Sequence, residues 1–366
     1  MALELRVVNI LIGDQGTGKS TVAKLLSALK EMSGTSETQL NINGKIANDA
    51  QKKTNFLNEF KEHLETYGII NYLKPDSYIE FNDSVKYLKY ENQNILVKIV
   101  SKEEKNRNTH IIGYIPAYRE AVILLKDDLN AIFAVGTTLP KIFYYFGQNF
   151  SVAKNKKKSY DYNDVLGVRY KYVNSKDIIV LHGGEEIPMS ESSSAIISGI
   201  PLLIVFDNAV ESMYTTDRRK YIDLNCPYII IEEPELNCFP TTQKKMVEHF
   251  ISKLKYKIPI GFDYYCRLVI TTHSPFILTS LNNLIYAYTV GQNNEEEINK
   301  IVDKQYWLNP NDVSVYRLLK NGFCENIMDE ELKQIKVEKI DEISEVLSTQ
   351  WHELADSNLV SSHGDF

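Results

Sequence analysis

The chain has 366 residues, of which 43% are apolar and 24% charged, enough for one large globular domain or two modest ones with a sizeable buried core. Its net charge of −7 and pI near 5.6 argue against a broadly basic nucleic-acid coat, though not against a local patch. No uninterrupted apolar run approaches the roughly 20 residues that span a bilayer. The N-terminus reads as no signal peptide, and Cys226, Cys238, Cys266 and Cys324 are too scattered for a zinc site or a disulfide framework, so a reducing cytoplasm is the expected compartment.

The first apolar run, Val7 to Ile12, predicts a buried strand, and the spacing of Val22, Leu25, Leu26 and Leu29 predicts a helix. Between them stand Gly13, Asp14, Gln15, Gly16, Thr17, Gly18, Lys19, Ser20 and Thr21, which fit G-x-x-x-x-G-K-[ST] in the strand-to-helix context that this phosphate-binding loop requires. Glycines at 13, 16 and 18 let the backbone turn its N–H groups onto phosphate oxygens, and the helix N-terminus adds its partial positive charge. Lys19 is suited to bridge the β- and γ-phosphates of ATP, and Ser20 to hold Mg²⁺.

A polar stretch from Ser33 to Asn48 reads as a loop with one short strand near Leu40–Ile42. Phe56, Leu57, Phe60 and Leu64 predict a helix over about 50–67 that Gly68 ends. Tyr78–Phe81, Val85–Tyr90 and Ile95–Val100 alternate like strands of an antiparallel meander, and Ile111–Pro116 reads as another strand. Helices are expected over about 119–131 and 138–153. The Lys154–Lys158 run after them suits either phosphate contacts or, the favoured reading in an acidic chain, a solvated loop near a helix C-terminus. Arg169 to Leu181 reads as a hairpin turning at Asn174–Asp177.

From Ser190 a serine-rich helix start leads into a buried helix. Tyr228–Ile231 is then an apolar strand, a helix is expected from Thr241 to Lys255, and Arg267–Thr272 and Leu284–Val290 read as further strands. This alternation predicts an α/β fold, a mostly parallel core sheet with helices on both faces, accompanied by the meander and a helical lobe. Glu295–Glu297 reads as a loop and the chain beyond Asp312 as mostly helical. Residues 1–290 would form the ATPase domain, with a helical lobe and insertion over about 119–190, and residues 291–366 a mainly helical extension. No long heptad region is present.

Phosphate-loop hydrolases need an acidic strand end: one carboxylate for the metal or its waters, another to polarise the attacking water. Glu232 and Glu233 supply both, Glu232 for Mg²⁺ and Glu233 as general base. Adjacent strand residues point opposite ways, so the pair works only if the strand ends there and the chain turns, which Pro234 favours. His273 ends the next apolar strand 40 residues after Glu233, one strand-helix-strand unit away, and is placed to touch the γ-phosphate or the attacking water.

Together, Gly13–Thr21, Ile229–Glu235 and Thr271–Pro275 resemble the Walker A, Walker B and switch-histidine motifs of ABC-type ATPases. The resemblance is closest to the AAA-family, OLD-like branch of soluble ATPases in bacterial anti-phage systems. That branch's Ile-Glu-Glu-Pro-Glu is similar to Ile231–Glu235, and its Tyr-Ile-Pro-Ala-x-Arg to Tyr114–Arg119, although no Q-loop glutamine is evident. Leu236–Pro240 resembles the D-loop, with Asn237 where many relatives carry histidine. The resemblance implies an α/β P-loop NTPase fold of ABC type, ATP and Mg²⁺ as ligands, and a head-to-tail homodimer with ATP at its interface. In it, Ser193 and Ser194 would contact the nucleotide of the opposite protomer. The family signature Ser-Ser-Gly-x-Gln-Ser departs here to Ser193-Ser194-Ala195-Ile196-Ile197-Ser198, which implies slow hydrolysis or a nucleotide-dependent clamp. The segment after 290 has no Asp-x-Asp pair for a nuclease, so the effector implied by analogy, nuclease-like, is a separate chain. Two other readings stay open: an SMC- or RecF-like ATPase acting on DNA, and an ATP-dependent scaffold without turnover.

Overall fold

Strands built of Val, Ile and Leu on both faces need cover on both faces, and the chain supplies it. The computed structural model describes residues 1–34, 50–82, 86–99, 113–125, 141–215, 228–254, 266–336, 346 and 348–352. In chain order the strands are β1 (Val8–Ile12), β2 (Ile79–Asn82), β3 (Lys86–Glu91), β4 (Asn94–Ile99), β5 (Gly113–Ile115), β6 (Ser159–Tyr162), β7 (Val168–Val173), β8 (Lys176–Val180), β9 (Glu186–Pro188), β10 (Tyr228–Glu232), β11 (Arg267–Thr272), β12 (Val313–Leu318), β13 (Cys324–Asn326), β14 (Met328–Asp329) and β15 (Gln334–Ile335). The helices are α1 (Lys19–Gly34), α2 (Ala50–Thr66), α3 (Ala121–Leu124), α4 (Lys141–Lys156), α5 (Asn163–Leu166), α6 (Ser194–Thr215), α7 (Pro240–Leu254), α8 (Pro275–Gly291) and α9 (Glu295–Ile301).

The central sheet runs β13-β12-β1-β11-β10-β5, parallel throughout except for the antiparallel edge strand β13. Alternation along each strand divides the core in two. Val8, Ile10, Ile12, Ile229, Ile231, Leu268 and Ile270 face one cluster, with α4, α6, α7 and α8. Leu11, Ile230, Val269 and Tyr316 face the other, with α1, α2 and the β2-β3-β4 meander. Asn9, inside the sheet, is satisfied by Leu268 O, Arg6 O and the Ser314 hydroxyl. Adjacent parallel strands share one C-terminal edge, where open α/β sheets bind ligands.

The meander and the Arg169–Leu181 hairpin form as expected, the latter inside a four-stranded antiparallel sheet β6-β7-β8-β9. Its turn uses Asn174 and Ser175 at φ 50° and 61°, the left-handed pair of a two-residue hairpin loop. Gly68, at φ 69°, stands just past α2 as a helix-ending glycine. The expected strand at 40–42 and the residues of the expected helix beyond 125 lie outside the described residues.

Three expectations are corrected. Leu284–Val290 belongs to α8, because Leu281, Leu284 and Ile285 recur at helical spacing against the core; a short apolar run does not discriminate strand from helix. Glu295–Glu297 are the first turn of α9, where acids complement the helix dipole. The chain beyond Asp312 is not helical up to 336: Val313–Leu318 is a core strand paired with β1, followed by β13, β14 and β15. Residues 313–326 therefore contribute two strands to the central sheet.

Among the described residues one stretch, Ser194–Ser212, is long and apolar enough to cross a membrane, but 72% of its most apolar window is buried inside the protein. Its apolar character all round follows from packing between β5, α4 and α7 as the core helix of its lobe.

The phosphate-loop helix α1 is held to α2 by charge. His63 Nδ1 lies 3.0 Å from Glu31 and Nε2 3.9 Å from Glu59. Burial alone would lower its pKa, but the hydrogen bonds and charges of Glu31 and Glu59 outweigh burial and raise it to about 9. Folding then favours the imidazolium, a stabilisation complete below the ordinary value of 6.5 and lost as pH rises through about 9. Urea unfolding of His63→Gln should lack about 1–2 kcal/mol of the parent's stability near pH 6 and match it near pH 10. An equal deficit at both ends would mean that the pair contributes through packing alone.

Candidate nucleotide-binding and hydrolysis site

The phosphate-loop residues leave β1 and enter α1 at the C-terminal edge of the sheet. Gly13 is fixed by crowding: a Cβ there would lie 2.4 Å from Leu318 O and 2.9 Å from Thr17 Oγ1. Gly16 and Gly18, at φ 76° and 91°, have open space where a Cβ would point, so their backbone is approachable. Thr17 Oγ1 donates to Asp14 O at 2.9 Å and closes the loop. Ser20 and Thr21 follow Lys19 in the first turn of α1.

Lys19 is 4% exposed and its ammonium donates to Gly13 O at 2.6 Å and Asp14 O at 2.9 Å. Its third neighbour is His273 Nδ1 at 3.3 Å. Burial pulls the Lys19 pKa down, against the opposing charges of Glu233, Glu235 and Asp14. An ammonium has only donors, so Nδ1 is the ring nitrogen suited to accept from Lys19. Nε2 lies 3.2 Å from Glu233 Oε1. His273 thus stands between the phosphate-loop lysine and the expected base.

The turn that the adjacent glutamates required is present. Glu232 closes β10 with its side chain buried; Glu233 follows at φ 44°, its N–H donating to Thr271 O at 2.8 Å. The reversal sends the two carboxylates to different neighbours. Glu232 Oε2 accepts from Ala117 N at 3.1 Å, while Oε1 is buried. A buried carboxylate is costly unless polar groups or a cation meet it, and Glu232, with the Tyr114 hydroxyl as a neighbour, has the chemistry of an oxygen ligand for Mg²⁺. Among the described residues no group of three or more His, Cys, Asp or Glu forms a cage, and Mg²⁺ held by a phosphate-loop hydroxyl, one carboxylate and phosphates needs none. Tyr114 in β5 and Tyr118 in the turn after it have pKa values raised first by burial and then by the Glu232 charge, so both stay protonated.

Several supporting residues carry no expected role from the sequence. Glu235 Oε1 accepts from Thr272 Oγ1 and from His273 N, both at 2.7 Å, which ties the turn after β10 to the end of β11. Ser274 caps α8 through Phe276 N and donates to Gln243, which in turn donates to Cys238 O. Asn237, at φ 62°, donates to Glu120. Lys320, beyond β12, pairs with Asp14 at 3.2 Å on the exposed side of the loop. Arg119 is fully buried and donates to the carbonyls of Pro116, Ser198, Glu232 and Glu233. Tyr114–Arg119 was legible as a segment; that the arginine reaches two distant stretches, at Ser198 and at Glu232–Glu233, was not.

Ser193 and Ser194 are exposed at the start of α6, and among the described residues no hydrogen bond joins them to the phosphate loop. Ile197 is buried in the core behind them, so the isoleucine stands inside the lobe rather than on that surface. The Lys154–Lys158 run is spoken for: Lys154 is buried against Asp177, Lys157 lies 3.8 Å from Glu211, and Lys158 donates to Asn155. Cys238, Cys266 and Cys324 are free thiols, and Cys226 lies outside the described residues.

No protein-family model matches the sequence, and no curated protein matches it. Among solved structures the chain is similar to the SMC head domain from Thermotoga maritima, at 10% identity and TM-score 0.33 over 76% of this chain and 85% of that one. It is also similar to an SmcHead bound to the C-winged helix domain of ScpA, at 10% identity and TM-score 0.40 over 89% of this chain and 91% of that one. The fold itself, a parallel sheet with a phosphate loop between β1 and α1 and acids at the end of β10, is that of an α/β P-loop NTPase.

Proposed function

We propose that the protein is an ABC-type ATPase that binds ATP with Mg²⁺, forms a head-to-tail homodimer around two nucleotides, and uses binding and hydrolysis to switch a partner. The observation that carries this reading is the line from Lys19 through His273 to Glu233, beside the buried carboxylate of Glu232. Loop N–H groups and Lys19 hold the phosphates, which requires Lys19 to exchange the Gly13 and Asp14 carbonyls for phosphate oxygens. Ser20 and Glu232 would hold Mg²⁺, which would supply charge compensation on the phosphates. Glu233 takes a proton from water as the water oxygen bonds to the γ-phosphorus and the bond to the β-γ bridging oxygen breaks, leaving ADP and phosphate. His273 Nε2, 3.2 Å from Glu233 Oε1, sits beside the carboxylate that would act as base.

The exposed Ser193 and Ser194 support the dimer, since hydroxyls at a helix start suit a nucleotide presented by a second copy. A cytosolic location, a nuclease-like effector on a separate chain and a role in anti-phage defence follow from the motif resemblance. Ala195 in the signature favours a second reading, an ATP-dependent scaffold with little turnover. Steady-state ATP hydrolysis, with mass measured by light scattering with and without ATP, separates them. Turnover with ATP-dependent dimers supports the switching ATPase. ATP-dependent dimers without turnover favour the scaffold, and absence of nucleotide binding removes both.

A further inference from the structure

We propose that Arg119 is a positioning residue that ties the backbone of the catalytic turn to the helix carrying Ser193 and Ser194. The proposal deepens the dimeric reading and rests on it.

The guanidinium is wholly buried. Its Nε donates to Ser198 O at 3.1 Å, one Nη to Glu232 O at 2.8 Å and Pro116 O at 3.3 Å, and the other Nη to Glu233 O at 2.9 Å. All four acceptors are main-chain carbonyls, drawn from the turn after β5, the first turns of α6 and the end of β10. Among the described residues no carboxylate lies within ion-pair distance of it. Burying a cation with no carboxylate in contact is expensive, and burial lowers its pKa to about 10 against the more distant charges of Glu235, Glu233 and Glu120. A packing role alone is met more cheaply by an apolar side chain. What arginine adds is a rigid planar fork with donors on three sides, able to hold separated carbonyls at fixed spacing, which a lysine point charge is not.

Both ends of the fork matter to the chemistry. Ser198 lies one turn after Ser194 on the same helix, and Ile197 N bonds to Ser193 O, so a shift of the serines is carried to Ser198 O. The other end grips the carbonyl of Glu233, whose left-handed φ of 44° and contact with His273 aim the base. Contact of Ser193 with a nucleotide on a second copy would therefore be felt at the base of this copy, so that each site reports its partner's occupancy. Asn237, four residues on, donates to Glu120 beside Arg119 and gives the turn a second hold on the same segment.

The test is hydrogen exchange on the full chain, with and without ATP and Mg²⁺, beside turnover. In the parent, ATP should slow exchange over 193–200 and over 229–238 with the same ATP dependence. In Arg119→Lys the response of 193–200 should persist while that of 229–238 is lost, and kcat should fall about tenfold or more with KM unchanged, as for a misaimed base. If both segments respond in Arg119→Lys as in the parent, the proposal is overturned. Arg119→Gln is the second variant should the first not fold. In the parent itself, different ATP dependences for the two segments also overturn it. Coupled protection without turnover leaves Arg119 in its role and removes hydrolysis from the preceding reading. No ATP-dependent protection in either segment removes both.

Discussion

Lys19→Ala is expected to lower kcat/KM for ATP by about 10²–10³, the loss of a charge-assisted contact that strengthens as charge shifts onto the leaving phosphate. The same substitution should change thermal stability little. Lys19 is desolvated, and its pKa is lowered by burial despite three nearby carboxylates, so the folded state already bears a cost for holding the ammonium. Removing it relieves that cost but leaves the Gly13 and Asp14 carbonyls without their donor. The two effects oppose each other, and the melting temperature should move by no more than a few degrees, as roughly 1 kcal/mol does in a protein of this size. Nucleotide titration and calorimetry on the same preparation measure both. Unchanged ATP affinity and turnover would mean that the loop binds its ligand without the lysine. A large fall in melting temperature would mean that Lys19 is a structural clasp first.

The parts of the site that were legible in the sequence are those whose chemistry demands particular residues at contiguous positions. Gly13 to Thr21 is one, because backbone folding, lysine reach and metal hydroxyl all fall within nine residues. Ile229–Glu235 is another: an apolar strand, two acids and a proline imply the reversal seen at Glu233. His273 was legible from spacing, since one strand-helix-strand unit returns the chain to the same edge. What was missed depends on contacts across long separations. Arg119 meets Glu232 and Glu233 across 113 and 114 positions and Ser198 across 79, and nothing local in Ala117-Tyr118-Arg119 announces those partners. Glu235 was legible as part of a motif but not as the acceptor for His273 N. The strand β12 was lost because Val313–Leu318 is buried on both faces, with no alternation to mark it, and because its partner β1 lies some 300 residues earlier. Leu284–Val290 failed the other way: an apolar stretch of α8 that covers the sheet was read as part of the sheet.

Glu233→Gln should leave ATP binding close to that of the parent and lower kcat by about 10²–10³, within the range for loss of a general base. The substitution keeps shape: the amide can still lie beside His273 Nε2, and the backbone at φ 44° is no harder for Gln than for Glu. What is lost is the capacity to take a proton from water. Removing one negative charge near Lys19 also takes away one of the charges that hold the lysine pKa up, but burial remains the larger influence there, so the ammonium's environment is little altered. The nucleotide-bound state should therefore accumulate, and with it the dimer. Light scattering in ATP should show dimers of Glu233→Gln that persist while those of the parent decay with turnover. Arg119 is untouched and still holds the Glu233 carbonyl, so a fall in kcat here belongs to the carboxylate and not to the turn. A Glu233→Gln protein that hydrolyses ATP as fast as the parent would hand the base to another group or to the phosphate itself. A parent no faster than Glu233→Gln, with both forming stable ATP-dependent dimers, would make the molecule a clamp that ATP closes and that something other than its own hydrolysis opens.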